Sequence, residues 1–254
     1  MLDFENCITN LFDRHDVDYQ FNENRHLLTS ESINILCIPN CSEPYSKEFL
    51  VLPEDGFTIR LWEDVYHQHQ PVVLSRITSI LGFNKKIHGR NTRVEKINQK
   101  VLDNFILNNH LNVPIKAKYR LGLYQQEKLV AVAAFGRSCP IQVNEITYRS
   151  HELVRFGSLL NHTVVGGLSK LIHYFEKNYK PEHLMTSIDR EWSTGGGFIK
   201  LGFKIESITP PQQFYYHRGH CSRVYASSIH RGEAKKANWQ LIENMGNLKL
   251  IKFV

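Results

Sequence analysis

The chain has 254 residues, of which 42% are hydrophobic, and this suits one large globular domain or two smaller ones. No apolar run approaches the ~20 residues of a membrane span, and the acidic start, Met1 to Asn6, lacks a secretory signal, so we expect a cytoplasmic protein without membrane contact. The net charge of +6 favours polyanionic partners, either nucleic acid or a phosphorylated cofactor, and five cysteines without CxxC spacing predict reduced thiols and no metal site.

Residues 1–86 are predicted to form a small α/β module. They hold seven Lys and Arg residues against 13 Asp and Glu residues, a balance of −6. Apolar residues at helical spacing predict a helix over 3–17, and a second helix is predicted over 71–81, ending at Gly82. The strands expected between the two helices span residues 19–21, 33–38, 49–52 and 57–62.

Residues 87–254 have the opposite charge, with 24 Lys and Arg residues against 12 Asp and Glu residues, and this change predicts a module boundary near residue 86. A basic connector is predicted over 83–93, either solvated or following a nucleic-acid backbone. The cations assigned to nucleic-acid binding are Lys85, Lys86, Arg90 and Arg93. The elements expected next are a helix over 100–109, a hairpin with strands 119–124 and 129–135, and a long excursion over 136–150.

The stretch from residue 152 to residue 203 organises the second module. A strand over 152–156 precedes a glycine turn and an amphipathic helix over 168–178. Glycine permits close approach of the backbone and a helix N-terminus supplies partial positive charge, so the turn is predicted to hold a phosphate. The residues assigned to cofactor binding are Val164, Val165, Gly166, Gly167, Leu168 and Ser169. The elements predicted after this helix are strands over 184–188, 204–207 and 213–217, with a short helix ending at 201 and a final helix and strand within 218–254.

This order of elements resembles the acetyltransferase superfamily known as GNAT, and more closely an acetyltransferase-like domain of phage and bacterial proteins, over roughly residues 87–218. The matching residues are Leu121-Gly-Leu-Tyr124, Phe135-Gly136, Glu152-Leu-Val-Arg-Phe156, Val165-Gly-Gly167, Ser169, Ser187-Ile-Asp-Arg190, Ser193, Gly202-Phe203 and Tyr215-Tyr216. The resemblance implies a mixed sheet flanked by helices, in which one strand splays from its neighbour to admit the pantetheine arm of acetyl-CoA or another acyl-CoA. The family has a tyrosine-alanine pair where this chain has Ser187-Ile188.

Glu152, Asp189 and Tyr216 are the candidate catalytic residues. Glu152 is expected to act as a base through water, with an ion pair to a basic strand as the structural alternative. Glu152 and Arg155 have an odd separation on one strand, so they face one cleft only across a bulge. Asp189 follows a strand, where α/β ligand sites gather, or caps a following helix. Tyr215 and Tyr216 alternate, and the resemblance implies that a tyrosine here protonates the departing thiolate of CoA.

Residues 1–86 resemble very-short-patch-repair-like endonucleases, which occur as the front half of some phage homing endonucleases. The resemblance is carried by Phe4-Glu5-Asn6, Ile33 to Pro39 and Trp62 to Tyr66. Asn34 stands where the resemblance implies a metal-binding Asp, and it is a weaker ligand for a hard dication, which predicts a degenerate restriction-endonuclease-like module.

Three hypotheses follow from these observations. The leading one is an acyl-CoA-dependent N-acyltransferase that acts on a nucleobase or another nucleic-acid-linked amine. The second is a non-catalytic nucleic-acid-binding protein derived from a phage homing endonuclease, and the third is residual nuclease activity.

Overall fold

A computed structural model describes residues 2–39, 53, 56–217, 222–229 and 239–254. The chain divides into two compact units, each assembled from separate segments. The first unit combines Met1–Leu81, Asp189–Thr194 and Thr209–Asn247, and the second combines Gly82–Ile188, Gly195–Ile208 and Leu248–Val254. The modules predicted over 1–86 and 87–254 are based on charge balance and family resemblance, and they stay a prediction. The two compact units are defined by contacts, which group 209–247 with the first unit.

The helices and strands are, in chain order, α1 (Asp3–Arg14), β1 (Gln20–Asn22), β2 (Leu27–Thr29), β3 (Asn34–Ile38), β4 (Thr58–Trp62), α2 (Glu63–Ile80), β5 (Lys85–His88), β6 (Arg93–Lys96), α3 (Gln99–Asn109), β7 (Tyr119–Gln125), β8 (Lys128–Phe135), β9 (Cys139–Val143), β10 (Ile146–Ser158), β11 (His162–Val165), α4 (Gly167–Tyr179), β12 (His183–Asp189), α5 (Gly196–Ile199), β13 (Lys204–Ile208), β14 (Gln213–His217), β15 (Ser222–Tyr225), β16 (Gln240–Glu243) and β17 (Asn247–Phe253). No helix of the described residues is long and apolar enough to cross a membrane.

Two small sheets form the first unit, together with α1 and α2. One sheet has the order β1-β2-β3-β4 and the other has the order β15-β14-β16. β3 and β4 pair in parallel, and both strands are buried along their whole length, including the polar residues Asn34, Thr58 and Arg60. Leu36, Ile38 and Trp62 share one apolar cluster with Tyr216 and Ile242, so the returning segment contributes to the core of this unit.

The helix predicted over 71–81 begins eight residues earlier, at Glu63. Pro71 suits the first turn of a helix, which is why the sequence places the start there. The helix instead continues through it with a kink, where His69 has non-helical dihedral angles of φ −134° and ψ 29°. Proline removes one backbone donor and clashes with the carbonyl of the preceding turn, and this accounts for the kink.

A mixed sheet flanked by helices forms the second unit, and this confirms the predicted fold class for this part of the chain. Its strand order is β13-β17-β12-β10-β8-β7-β6, and β9 pairs with the first half of β10. Leu171, Ile172 and Phe175 of α4 pack on one side with Leu121, Leu153 and other strand residues. Residues of α3, Leu102, Phe105 and Ile106, form a separate cluster with Val132 and Ala134. The two helices therefore pack in separate apolar clusters against the sheet.

One prediction about local structure is wrong in this unit. Residues 136–150 are not an irregular excursion, because β9 and the start of β10 form a hairpin there. Its turn residues, Asn144 and Glu145, both have positive φ, as a type I′ turn requires, and the sequence lacks the Asn-Gly pair that usually marks this turn. The strand of the predicted final helix and strand is present as β17, which lies between β12 and β13, and the helix predicted with it is not found among residues 222–229 and 239–254, the described part of this segment. The strand predicted over 49–52 lies outside the described residues.

A cluster of buried charges lies in the first unit. Arg223 bonds Asp64 with Nε 2.6 Å from Oδ2, and Asp64 is only 1% exposed. Glu191 accepts a hydrogen bond from Trp62 Nε1 at 3.0 Å and lies 4.0 Å from Arg60 Nε. Burial raises the pKa of Glu191 to about 7, and the neighbouring Asp189 carboxylate adds to the shift. This carboxyl therefore keeps its proton in the folded chain at pH values where an exposed glutamate has lost it.

Glu191→Gln should weaken the pH dependence of stability. The unfolded chain loses the Glu191 proton near the ordinary pKa of 4.5 and the folded chain near 7, so rising pH destabilises the wild-type fold across that window. The variant lacks this contribution, and its melting temperature should rise relative to wild type between these pH values and stay constant relative to it above them. Glu31→Gln, at an exposed position, is the control. Parallel pH profiles for wild type and Glu191→Gln would contradict the assignment.

Candidate functional site

Two neighbouring parallel strands of the second unit separate within the sheet. β10 and β12 pair only from Ser150, opposite His183, to Glu152, opposite Met185. β10 nevertheless runs on to Ser158. Where the ladder ends, the buried hydroxyl of Thr186 donates a hydrogen bond to the Leu153 carbonyl at 2.9 Å. A gap therefore opens between the carboxyl halves of two central strands, the position at which ligands bind in open α/β sheets.

A bulge in β10 lies at the start of this gap. Leu153 is opposite Phe135 of β8 and Arg155 is opposite the adjacent Ala134, so Val154 is an extra residue. His151 and Leu153 pack toward Phe175 of α4, and alternation places Glu152 on the other face.

The bulge brings Arg155 to the same face of β10 as Glu152. Val154 packs with the α3 cluster, and Arg155 Nε donates to the Val113 carbonyl, in the loop after α3, at 3.3 Å. The sequence allows Glu152 and Arg155 to share a face only across a bulge, and the structure contains one.

Glu152 is the predicted catalytic residue that lies where the β10–β12 ladder ends. It occupies the last pair of the β10–β12 ladder, and its side chain is half-buried. Its backbone carbonyl accepts a hydrogen bond from Gly136 N–H at 2.8 Å. The ion pairs of the described residues do not include Glu152, so the structural alternative weighed for this carboxylate finds no support there. A carboxylate at this point can accept a proton from a group in the gap.

The predicted glycine turn joins β11 to α4. Gly166 has φ +74° and precedes the helix, which begins at Gly167. The backbone N–H groups of the first turn of a helix lack intrahelical acceptors, and the first such bond here runs from Lys170 N–H to the Gly166 carbonyl at 3.0 Å. The N–H groups of Gly167, Leu168 and Ser169 are thus available to an anion, and no side chain caps this helix.

Close packing explains the second glycine of the turn. A Cβ atom on Gly167 would lie 2.7 Å from Val164 Cγ1 and 3.1 Å from Leu123 Cδ1, whereas one on Gly166 would meet nothing within 4 Å. Gly167 therefore permits α4 to approach the sheet, and Gly166 supplies the left-handed conformation and leaves space beside the turn.

The predicted basic connector is in fact partly a strand. β5 pairs in parallel with β11, with Lys86 opposite Thr163 and His88 opposite Val165. The sequence misses it because Lys-Lys-Ile-His contains a single apolar residue, Ile87, which is 3% exposed. Among the predicted nucleic-acid-binding cations, Lys85, Lys86 and Arg90 are exposed beside this strand. Arg93 instead lies in β6, where it contacts Glu95 and Glu127 and stacks over the Tyr124 ring.

Asp189 and Tyr216, the other predicted catalytic residues, are grouped with the first unit, whereas Glu152 belongs to the second. Asp189 Oδ1 accepts a hydrogen bond from Glu191 N–H at 2.9 Å, so this carboxylate holds the turn that follows β12. Burial raises the pKa of Asp189. Tyr216 is 2% exposed in an apolar cluster, and Tyr215 is 9% exposed, so neither tyrosine is open to solvent in this unit.

The residues resembling a nuclease motif have partners in the fold of the first unit. Glu5 is 1% exposed and bonds to His26, and Asp64 bonds to Arg223. His67 lies 3.5 Å from Glu63 on the same helix. Asn34 is buried in β3. Within the described residues, no group of three or more His, Cys, Asp and Glu side chains is arranged to hold a metal ion.

No family model matches the chain, and no curated protein matches its sequence. Solved structures similar to it include a Bacillus subtilis acetyltransferase in complex with CoA, which is 15% identical with a TM-score of 0.40 over 64% of this chain and 99% of its own. A GNAT family acetyltransferase from Elizabethkingia anophelis with acetyl-CoA bound is 11% identical, with a TM-score of 0.37 over 65% of this chain and 99% of its own. An IAA acetyltransferase from Bacillus cereus is 16% identical, with a TM-score of 0.36 over 64% and 99%. At these TM-scores the similarity assigns no function to this chain.

Gly167→Ala should destabilise the second unit. The added methyl group meets Val164 and Leu123 at distances that force α4 away from the sheet, and overpacking of this kind costs about 1–3 kcal/mol. Gly197→Ala is the matched control, because it also lies in the first turn of a helix but meets nothing within 4 Å, and it should be neutral or stabilising by about 0.5–1 kcal/mol. Denaturant unfolding measures both changes, and equal stability of the two variants would contradict the packing assigned to Gly167.

Proposed function

We propose that the protein is an acyl-CoA-dependent N-acyltransferase whose site lies in the second unit. The observation that carries the proposal is the parting of β10 from β12 directly after Glu152, with the glycine turn on the segment that leaves β10. The order of hairpin, splayed strand, turn, helix, strand, short helix and Gly202-Phe203 is the one that the resemblance to GNAT acetyltransferases implies.

The residues of this site fit an acyl-CoA. Backbone N–H groups at the start of α4 suit a pyrophosphate, because a helix N-terminus attracts anions through its dipole and its unpaired donors. The open side of Gly166 leaves space for such a group. The gap between β10 and β12 exposes strand backbone, which suits the amide-containing pantetheine arm. When bound, the cofactor supplies an activated thioester carbonyl.

Glu152 is assigned the role of base. The amine nitrogen bonds to the thioester carbonyl carbon, and the carbon–sulfur bond breaks with its electron pair on sulfur, so that CoA leaves as a thiolate. One proton has to leave the amine to give the neutral amide. Glu152 accepts that proton through a water molecule, since its carboxylate lies at the point where the two strands part. The bulge and the Thr186 hydroxyl fix the backbone directly after Glu152, which keeps the carboxylate in place. Asp189 and Tyr216 stay predictions without an assigned step, because both are grouped with the first unit and Tyr216 is buried there.

A nucleic-acid-linked amine is the proposed acceptor. The balance of +12 over residues 87–254 supports a polyanionic substrate, and the resemblance of the first 86 residues to a phage nuclease module supports one linked to DNA. The second candidate, a non-catalytic nucleic-acid-binding protein derived from a homing endonuclease, is favoured by the exposed cations Lys85, Lys86 and Arg90 and by the burial of Tyr216. Cofactor binding separates the two candidates.

Acetyl-CoA should raise the melting temperature of the purified protein, because a ligand that binds only the folded state stabilises it by mass action. Incubation with acetyl-CoA and single-stranded oligonucleotides, followed by mass spectrometry, should show one added acetyl group on the oligonucleotide. A panel of simple amines with detection of released thiol covers other acceptors. The absence of any acetyl-CoA-induced shift would exclude the acyltransferase and leave the binding protein.

Glu152→Gln should lower kcat by about 100- to 10,000-fold, the usual contribution of a general base. The Kd of acetyl-CoA, measured by calorimetry, should stay unchanged, since the phosphate-binding turn is untouched. Glu145→Gln, in the exposed turn of the β9–β10 hairpin, is the matched control and should retain full activity. Unaltered kcat in Glu152→Gln would remove this residue from the mechanism.

A further inference from the structure

We propose that Lys86 and Arg90 bind the ribose 3′-phosphate of the acyl-CoA and make the site selective for CoA over forms that lack this group. The proposal rests on the proposed function, because it assigns a second phosphate subsite beside the glycine turn. It reassigns to the cofactor two of the four cations that the sequence assigns to nucleic acid. His88 lies between these two residues in the sequence, and residues 86–90 are called the basic strip.

The register of β5 against β11 places Lys86 and His88 on one face. Ile87 is opposite Val164, and both side chains are buried, at 3% and 7% exposure. Alternation along the strands therefore directs Lys86 and His88 to the opposite, solvent-facing side, together with Val165, which is 45% exposed. β11 leads directly into Gly166, so the cationic face of β5 lies alongside the chain that enters the phosphate-binding turn.

The loop that carries Arg90 is fixed against the same turn. A Cβ atom on Gly89 would lie 3.0 Å from the Val165 carbonyl oxygen and 3.1 Å from the Gly166 carbonyl, so the two backbones are in direct contact. The Lys170 ammonium donates to the Gly89 carbonyl at 2.9 Å and also to the Thr92 carbonyl. Arg90 follows Gly89 directly, in a 3₁₀ turn, and its position relative to α4 is set by these contacts.

Lys86 and Arg90 can supply positive charge that the glycine turn itself lacks. The cofactor carries several negative charges, whereas a helix N-terminus supplies only about half a positive charge. Lys170, the cation of the first turn of α4, already bonds two carbonyls, so it positions the loop rather than a phosphate. The ion pairs of the described residues include neither Lys86 nor Arg90, whereas Arg93 has Glu95 and Glu127 as partners. Lys86 and Arg90 can thus donate charge-assisted hydrogen bonds to a phosphate at no cost to an existing pair.

Calorimetric titration with acetyl-CoA and with 3′-dephospho-acetyl-CoA tests the assignment. Wild type should bind acetyl-CoA ~10- to 100-fold more tightly than the dephospho form, as expected for two charge-assisted hydrogen bonds. K86Q/R90Q should lose this preference and bind both forms with the affinity that wild type has for the dephospho form. Arg93→Gln, the matched control three residues along, should keep the preference, and K86R/R90K, which conserves charge, should retain most of it.

The outcomes separate the two proposals. Binding of neither form by wild type overturns the proposed function. Binding of both forms by wild type with equal affinity, or a preference that survives in K86Q/R90Q, overturns the 3′-phosphate assignment and leaves the proposed function intact. If K86Q/R90Q instead loses affinity for a fluorescent single-stranded oligonucleotide while its preference for acetyl-CoA persists, the basic strip binds nucleic acid and not the 3′-phosphate. Circular dichroism of each variant confirms that a lost preference is not a lost fold.

Discussion

The parting of β10 from β12 is the constraint on which the geometry of the second unit depends. Buried backbone groups of a strand need partners, so two central strands can separate only where something else satisfies them. The Thr186 hydroxyl donates a hydrogen bond to the Leu153 carbonyl at the point of separation, and β10 stays paired with β8 as far as Ser158. The extra residue at Val154 increases the local twist of β10, which helps it diverge from β12. The gap is therefore a stable part of the sheet.

Elements with strong local signals were predictable from the sequence. The β7–β8 hairpin and α4 have apolar patterns of sufficient length, and Gly82 ends a helix as predicted. Elements whose stability comes from distant partners were not. β5 has one apolar side chain and depends on β11, some 75 residues later in the chain, and β17 depends on β12 and β13. The sequence contains no local pattern that records such pairing.

The candidate site shows the same division. The glycine turn was predictable, because left-handed backbone and close helix packing both require glycine at Gly166 and Gly167. The faces of β10 could be predicted only in part. The odd separation of Glu152 and Arg155 shows that a bulge is needed to put them on one face, but not whether β10 contains one. The grouping of Asp189 and Tyr216 with the first unit was not predictable, because it arises where segments 189–194 and 209–247 join residues from the start of the chain. Thr186 and Lys170 have no sequence signature, as their roles depend on carbonyls elsewhere.

β17 has a consequence for how the protein is made. It lies inside the sheet between β12 and β13, yet the chain reaches it only after the whole of segment 209–247, which belongs to the other unit. On the ribosome, β12 and β13 are therefore synthesised well before the strand that covers them, and each exposes an unpaired edge in the meantime. Non-local pairing of this kind slows folding and favours mispairing between nascent chains. The protein is accordingly a candidate for chaperone assistance during translation, when its central sheet is still divided.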